Sequence, residues 1–167
     1  MPDRRSAVSA LPAVPKPARC DDEAWRDGLR SASCWTIKAG SCCSRVSASG
    51  DVLACWFCPG GGLETGEGYE QAARRELFEE TGIVAEELGP VVLERTVRFT
   101  WDGVEFDQTE HYFVVRTSVQ EISSDRWTEE ERQVIVEHRW WTVDELRNAS
   151  EPVFPEELTR LVESVSR

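Results

Sequence analysis

The chain has 167 residues, with 31 acidic against 19 basic side chains and a formal net charge of −12. That length suits one domain with a real core, and the charge excludes broad electrostatic binding to DNA, RNA or an anionic membrane. No stretch approaches the length of a membrane helix. Arg4 and Arg5 precede a small-residue run broken by Pro12 and Pro15, so no secretory leader is expected. The six cysteines do not read as a disulfide framework, which points to a cytoplasmic protein.

Residues 1–45 differ from the rest. They hold Cys20, Cys34, Cys42 and Cys43, both lysines (Lys16 and Lys38), and a net charge of +3 against −15 for residues 46–167. Neither strand alternation nor a helical stripe is visible there. The expectation is an atypical segment outside the ordered core, followed by a domain over residues 46–167. Three readings fit the composition. One is a disordered basic tail. The second is a zinc site of Cys42, Cys43, Cys55 and Cys58, although only Cys55 and Cys58 have C-x-x-C spacing. The third is an out-of-frame translation. Codons for Cys34–Ser44 read two nucleotides later can encode LDDQGRVLLF, a polar turn followed by an apolar strand. Cys55 and Cys58 themselves read as small buried hydrophobes on a short strand within Val52–Phe57.

The centre of the chain is Gly61–Ile83, GGLETGEGYEQAARRELFEETGI. Gly60, Gly61 and Gly62 predict a sharp turn that brings backbone close to a ligand. From about Gly68 the pattern turns helical, with Ala72, Ala73, Leu77 and Phe78 as its apolar or small positions and Gly82 as a left-handed stop. Glu76, Glu79 and Glu80 then share one helix face. Like charges so placed repel, and hard divalent cations such as Mg²⁺ or Mn²⁺ are the usual counterweight. Arg75, four residues before Glu79, is placed to hold one carboxylate.

The same residues carry a resemblance. Gly61, Glu67, Arg75-Glu76, Leu77, Glu79-Glu80, Gly82 and Ile83 stand at the spacing of the Nudix box, and every defined position matches. The chain thus resembles the Nudix hydrolases. The resemblance implies an α/β/α sandwich with a mixed sheet and an Mg²⁺- or Mn²⁺-dependent pyrophosphohydrolase acting on a nucleoside diphosphate derivative. It further implies a small nucleotide substrate, no nucleic-acid polymer, and a monomer or homodimer. By position, Glu76, Glu79 and Glu80 resemble the metal-binding carboxylates, Glu67 the supporting acid, and Arg75 the arginine that orients them. In some relatives the residue matching Glu76 also takes a proton from water. Gly61 and Gly62 are expected on the substrate side. Many relatives add a glutamate from a later loop, for which Glu129, Glu130 and Glu131 are candidates and Glu131 is preferred. The alternative is a catalytically impaired Nudix-like nucleotide-binding module with an incomplete N-terminal sheet.

Beyond the box, Val91–Trp101 reads as a strand and Asp102-Gly103 as a hairpin turn. Val104–Asp107 and His111–Val119 form the return, with an irregularity expected near Gln108–Glu110. Ser123–Glu131 is a polar loop or short helix start. Arg139–Thr142 reads as a strand, Val143–Arg147 as a helix capped by Thr142, and Pro155 to Val165 as an amphipathic helix. Trp101, Trp140 and Trp141 are candidate faces for a base, with Trp140 and Trp141 on opposite sides of their strand. His111 and His138 read as strand residues. Family substrate markers are missing: Arg98 stands where many ADP-ribose hydrolases carry proline, and none of Phe99, Thr100 and Trp101 is the tyrosine of diadenosine-polyphosphate hydrolases.

Overall fold

The computed structural model describes residues 29–37, 41–46, 54–101, 104–119 and 121–165. Among the described residues, eight strands make one mixed sheet: β1 (Leu29–Ile37), β2 (Ser41–Val46), β3 (Cys55–Phe57), β4 (Gly60–Gly62), β5 (Val91–Trp101), β6 (Val104–Arg116), β7 (Ile135–Trp141) and β8 (Val153–Phe154). Their order is β5-β6-β1-β2-β3-β8, with β4 paired to β1 and β7 to β2. The β1–β6 and β3–β8 pairs are parallel and the rest antiparallel. The helices are α1 (Tyr69–Thr81), α2 (Glu129–Val134), α3 (Val143–Arg147) and α4 (Leu158–Val165).

Alternation along β6 builds the two faces of the sheet, because successive side chains point to opposite sides. Phe113 and Val115 meet Ala72, Ala73 and Leu77 of α1 together with Ile83 and Ala85. Tyr112 and Val114 join Cys43, Trp56, Cys58, Trp141, Leu146, Leu158 and Val162 on the other face. Helices thus cover both sides of the sheet, as expected for the sandwich. Trp140 packs with the first cluster and Trp141 with the second, so the two indoles do lie on opposite faces.

The N-terminal segment corrects the sequence reading. Residues 29–46 supply two strands in the middle of the sheet, whereas no sheet strand was expected before Arg45. β1 lies between β6 and β2, with Leu29 opposite Gln108 and Ile37 opposite Arg116. β2 lies between β3 and β7, and Ser41, Cys42, Cys43 and Ser44 are all buried. A strand covered on both faces has no reason to alternate, so the missing alternation did not exclude a strand. The sheet is therefore not missing its early strands, which removes the ground for an impaired module. The rest of the tail reading, residues 1–28, lies outside the described residues. The zinc reading fails on geometry. Cys42 and Cys43 are neighbours on one strand and point to opposite faces, so they cannot close one site with Cys55 and Cys58. All four are buried thiols.

Smaller departures follow the same logic. The return strand is continuous over Val104–Arg116, and the register shift falls between Val91 and Leu93 rather than near Gln108–Glu110. Asp102-Gly103 lies outside the described residues, although the flanking strands pair with Trp101 opposite Val104. β7 begins at Ile135, four residues before the expected start, and α4 begins at Leu158 rather than Pro155.

Candidate functional site

The site grows from α1 and the strand that precedes it. Gly60–Gly62 is not a turn but a short strand, with Gly62, Gly61 and Gly60 opposite Ser31, Ala32 and Ser33 of β1. The turn comes later, at Gly66, whose φ of 81° is left-handed. The glycines serve close approach: a Cβ on Gly61 would lie 2.5 Å from Glu76 Oε1. Gly60 N–H donates to Glu80 Oε1 at 3.2 Å. Backbone of β4 thus lies directly against the acidic face of the helix.

α1 starts and stops where its sequence dictates. Gly68 is the N-cap, its N–H donating to Gln71 Oε1 at 3.0 Å. Gly82, at φ 73°, closes the C-terminus by donating to Phe78 O at 2.9 Å. The apolar side of the helix faces the sheet, which sets Glu76, Glu79 and Glu80 along one flank. Glu76 and Glu80 are buried and Glu79 half-buried.

Arg75 hydrogen-bonds four residues rather than the one carboxylate expected. It grips Glu67 with both a 3.0 Å bond from Nε and a 2.8 Å bond from Nη2, and donates to Glu76 at 2.7 Å, Glu79 at 3.3 Å and Gly62 O at 2.9 Å. The Glu67–Arg75 pair is bidentate, the strongest geometry for such a contact. It holds the Glu67 carboxyl below its usual range.

Burial pushes the Glu76 carboxyl up to about 7, with Arg75 pulling the other way and Glu79 and Glu131 adding to the rise. Burial raises Glu80 well above its ordinary value, followed by the charge on Glu76; Glu131 again contributes. Both effects follow from crowding like charges in a desolvated place. Glu131, whose charge contributes to both rises, comes from α2. It is also the N3 residue of α2, where its carboxylate accepts from Thr128 N at 2.5 Å while Thr128 Oγ1 accepts from Glu131 N at 3.2 Å. Glu129 is exposed at the start of α2, and Glu130 has no described side chain.

The donor set fits a hard divalent cation, since it consists of carboxylate oxygens and includes two buried acids with raised proton affinity. The carboxylates do not converge on one point. Among the described residues no group of three His, Cys, Asp or Glu side chains is gathered tightly enough to hold a metal ion.

Sequence reasoning missed Trp127. Its indole N–H donates to Glu80 O at 2.8 Å and its ring meets His138 edge-on at 4.9 Å. The capping-box pattern of Thr128 and Glu131 marks the start of α2 and points to this stretch. Of the other candidates, Trp141 is buried against Trp56, Trp140 is half-buried, and the Trp101 side chain is not among those described. His111 stacks on Tyr69 and faces Glu94 at 3.4 Å, and His138 bonds Ser44 Oγ at 3.0 Å.

Similarity to known proteins agrees with this arrangement. The NUDIX domain family profile matches residues 43–162. Nudix hydrolase 25 of Arabidopsis thaliana is 33% identical over a match covering 42% of this chain and 47% of that protein, so the chain spans about half the length of the curated relative it matches. Among solved structures, the MutT NUDIX hydrolase of Burkholderia pseudomallei superposes with a TM-score of 0.62 at 16% identity, covering 82% of this chain and 97% of that one. The NUDIX domain of Shewanella oneidensis NrtR, complexed with ADP ribose, does so with a TM-score of 0.60 at 16% identity, covering 89% and 93%. With its whole box inside a family match that spans most of its length, the chain belongs to the NUDIX domain family.

Proposed function

We propose that this protein hydrolyses the diphosphate linkage of a nucleoside diphosphate derivative, a nucleoside triphosphate or similar small nucleotide, with Mg²⁺ or Mn²⁺ as cofactor. The observation that carries the reading is the buried Glu76–Glu80 pair pressed against the backbone of Gly60 and Gly61. Glu76, Glu79 and Glu80 would hold the cation. When bound, it supplies Lewis-acid stabilisation of charge on the phosphate oxygens and activates water.

The remaining roles fall to the chain itself. Arg75 and Glu67 orient Glu76 and Glu79 through the guanidinium network. Glu76, with its carboxyl pushed up to about 7, suits accepting a proton from water near neutral pH. Gly61 and Gly62 present backbone without side-chain bulk, which allows a phosphate to approach the helix flank. Glu131 joins from α2. A cytoplasmic location fits these reactants, and no described helix is long and apolar enough to cross a membrane.

The test is product release by the purified full chain from a panel of nucleotides with Mg²⁺, beside simple phosphomonoesters. Cleavage of a nucleoside triphosphate or another diphosphate derivative is expected, with little turnover of monoesters. Faster release from monoesters than from every diphosphate tested would refute the reading.

A further inference from the structure

The stretch before α2 holds none of the box residues, yet it is fastened to the end of the acidic helix at three points. Ser123 N–H donates to Thr81 O at 3.0 Å, and Trp127 Nε1–H donates to Glu80 O at 2.8 Å. The Arg126 guanidinium lies over the Phe78 ring, 4.3 Å from its centroid. The last carbonyls of a helix have no partner within it, and this strap supplies donors to two of them.

The strap is tied on both sides of Trp127. Behind the ring stands His138, which is itself bonded to Ser44 Oγ on β2. The next residue, Thr128, is the cap that bonds both the backbone and the carboxylate of Glu131. One indole thus bonds the Glu80 backbone and is joined through one peptide to the cap that fixes the rotamer of Glu131. The Glu131 charge reaches both Glu76 and Glu80. The residue that carries the α2 carboxylate is thus tied to the end of α1 through Trp127, outside the box.

We propose that Trp127 is a positioning residue that registers Glu131 against Glu76 and Glu80 and so tunes the affinity of the cluster for a divalent cation. The inference rests on the reading of that cluster as a metal site. Loss of one hydrogen bond of this kind corresponds to an effect of about fivefold on an equilibrium.

The experiment is Mn²⁺ binding to the full-length protein at pH 8, followed by electron paramagnetic resonance, with melting temperature in EDTA as the folding control. Trp127→Phe keeps an aromatic ring, though a smaller one, and drops the N–H; Trp127→Leu is the second variant should the first melt below the assay temperature. Wild type should bind Mn²⁺, and Trp127→Phe should bind about three- to tenfold more weakly with little change in melting. In a Glu131→Gln background the same substitution should change affinity by less than about twofold, because coupled residues are not additive. Wild-type affinity in the Trp127 variant would overturn the inference while leaving the metal site intact. An equal loss in both backgrounds would also overturn it, by showing that Trp127 does not act through Glu131. A wild type without Mn²⁺ affinity would defeat the metal reading itself and the inference with it.

Discussion

Gly61 and Glu76 compete for one volume: a Cβ at position 61 would fall 2.5 Å from Oε1 and 2.7 Å from Cδ of the glutamate. The intruding atoms belong to the far end of a flexible side chain, so the chain accommodates the methyl by moving the carboxylate. Gly61→Ala should therefore fold and melt within a few degrees of wild type, yet lose on the order of tenfold or more in kcat as Glu76 is displaced. Matched thermal melts and turnover check this. A fully active Gly61→Ala protein would show that the position of Glu76 is unimportant.

Glu79→Gln and Glu80→Gln nearly preserve side-chain shape while removing a charged oxygen donor. The apolar side of α1, with Leu77, Ala72 and Ala73 buried, is untouched. Each variant should fold and lose on the order of a hundredfold or more in kcat, the scale seen when a principal electrostatic stabiliser is removed. Unchanged turnover in both, at matched Mg²⁺, would contradict the assignment of these carboxylates.

Three buried groups, two glutamates and a histidine, make the metal-free protein sensitive to pH in opposite directions. Glu76 is raised to about 7, so above the ordinary 4.5 the folded state binds more protons than the unfolded one and stability falls as pH rises. Glu80, raised well above its ordinary value, extends the fall to higher pH. His138 is lowered to about 4 by burial, so stability rises with pH until the unfolded imidazole, near 6.5, has lost its proton. The two slopes oppose each other below pH 6.5 and only the glutamates act above it. Two raised glutamates outweigh one lowered histidine, so melting in EDTA should already fall between pH 5 and 6.5 and keep falling, by a few degrees in all, toward pH 8.5. Mg²⁺ should offset the drop, because ionised carboxylates are the form it binds. A melting temperature that climbs between pH 6.5 and 8.5 in EDTA would contradict the two raised pKa values.

The β2–β7 ladder is poorly matched to its position. Among the described residues, the buried side-chain nitrogen and oxygen atoms without a partner are Ser41 Oγ, Trp141 Nε1 and His138 Nε2. Ser41 stands opposite Trp141, and Ser44 opposite His138. An unpaired buried hydroxyl costs about 1–3 kcal/mol, so Ser41→Val should raise stability by about 1–2 kcal/mol. The other-frame sequence LDDQGRVLLF would place apolar side chains on this buried strand, each worth about 1.5–3 kcal/mol. A chain carrying it across Cys34–Ser44 should melt higher and turn over faster, and the nucleotide sequence should encode it. Stop codons or polar residues in that frame would exclude the idea.

How far the sequence could be read depended on how local the cause was. α1 was legible from Gly68 to Gly82 because its cap, its apolar spacing and its left-handed stop are all near neighbours in the chain. Thr142 as the cap of α3 was legible for the same reason. The glycine run was misread as a turn because its cause is tertiary: Gly61 makes room for a side chain fifteen positions later. β2 left no alternation to read, since its successive residues Ser41, Cys42, Cys43 and Ser44 are buried on both faces. Trp127 acts on a backbone carbonyl of a distant helix, and no side-chain pattern marks such a partner.

The parallel pairing of β1 with β6 also fixes an order of assembly. Leu29 must meet Gln108, and Ser41 must meet Trp141, before the middle of the sheet exists. Contacts so far apart in sequence close late and slowly. A chain released only as far as residue 100 therefore carries the whole acidic helix and the strands β1 to β4, but not β6, whose Phe113 and Val115 complete the core beneath that helix. Such a chain is sticky rather than half-active, and growth at lower temperature or with chaperone support should raise the soluble yield more than it changes the specific activity.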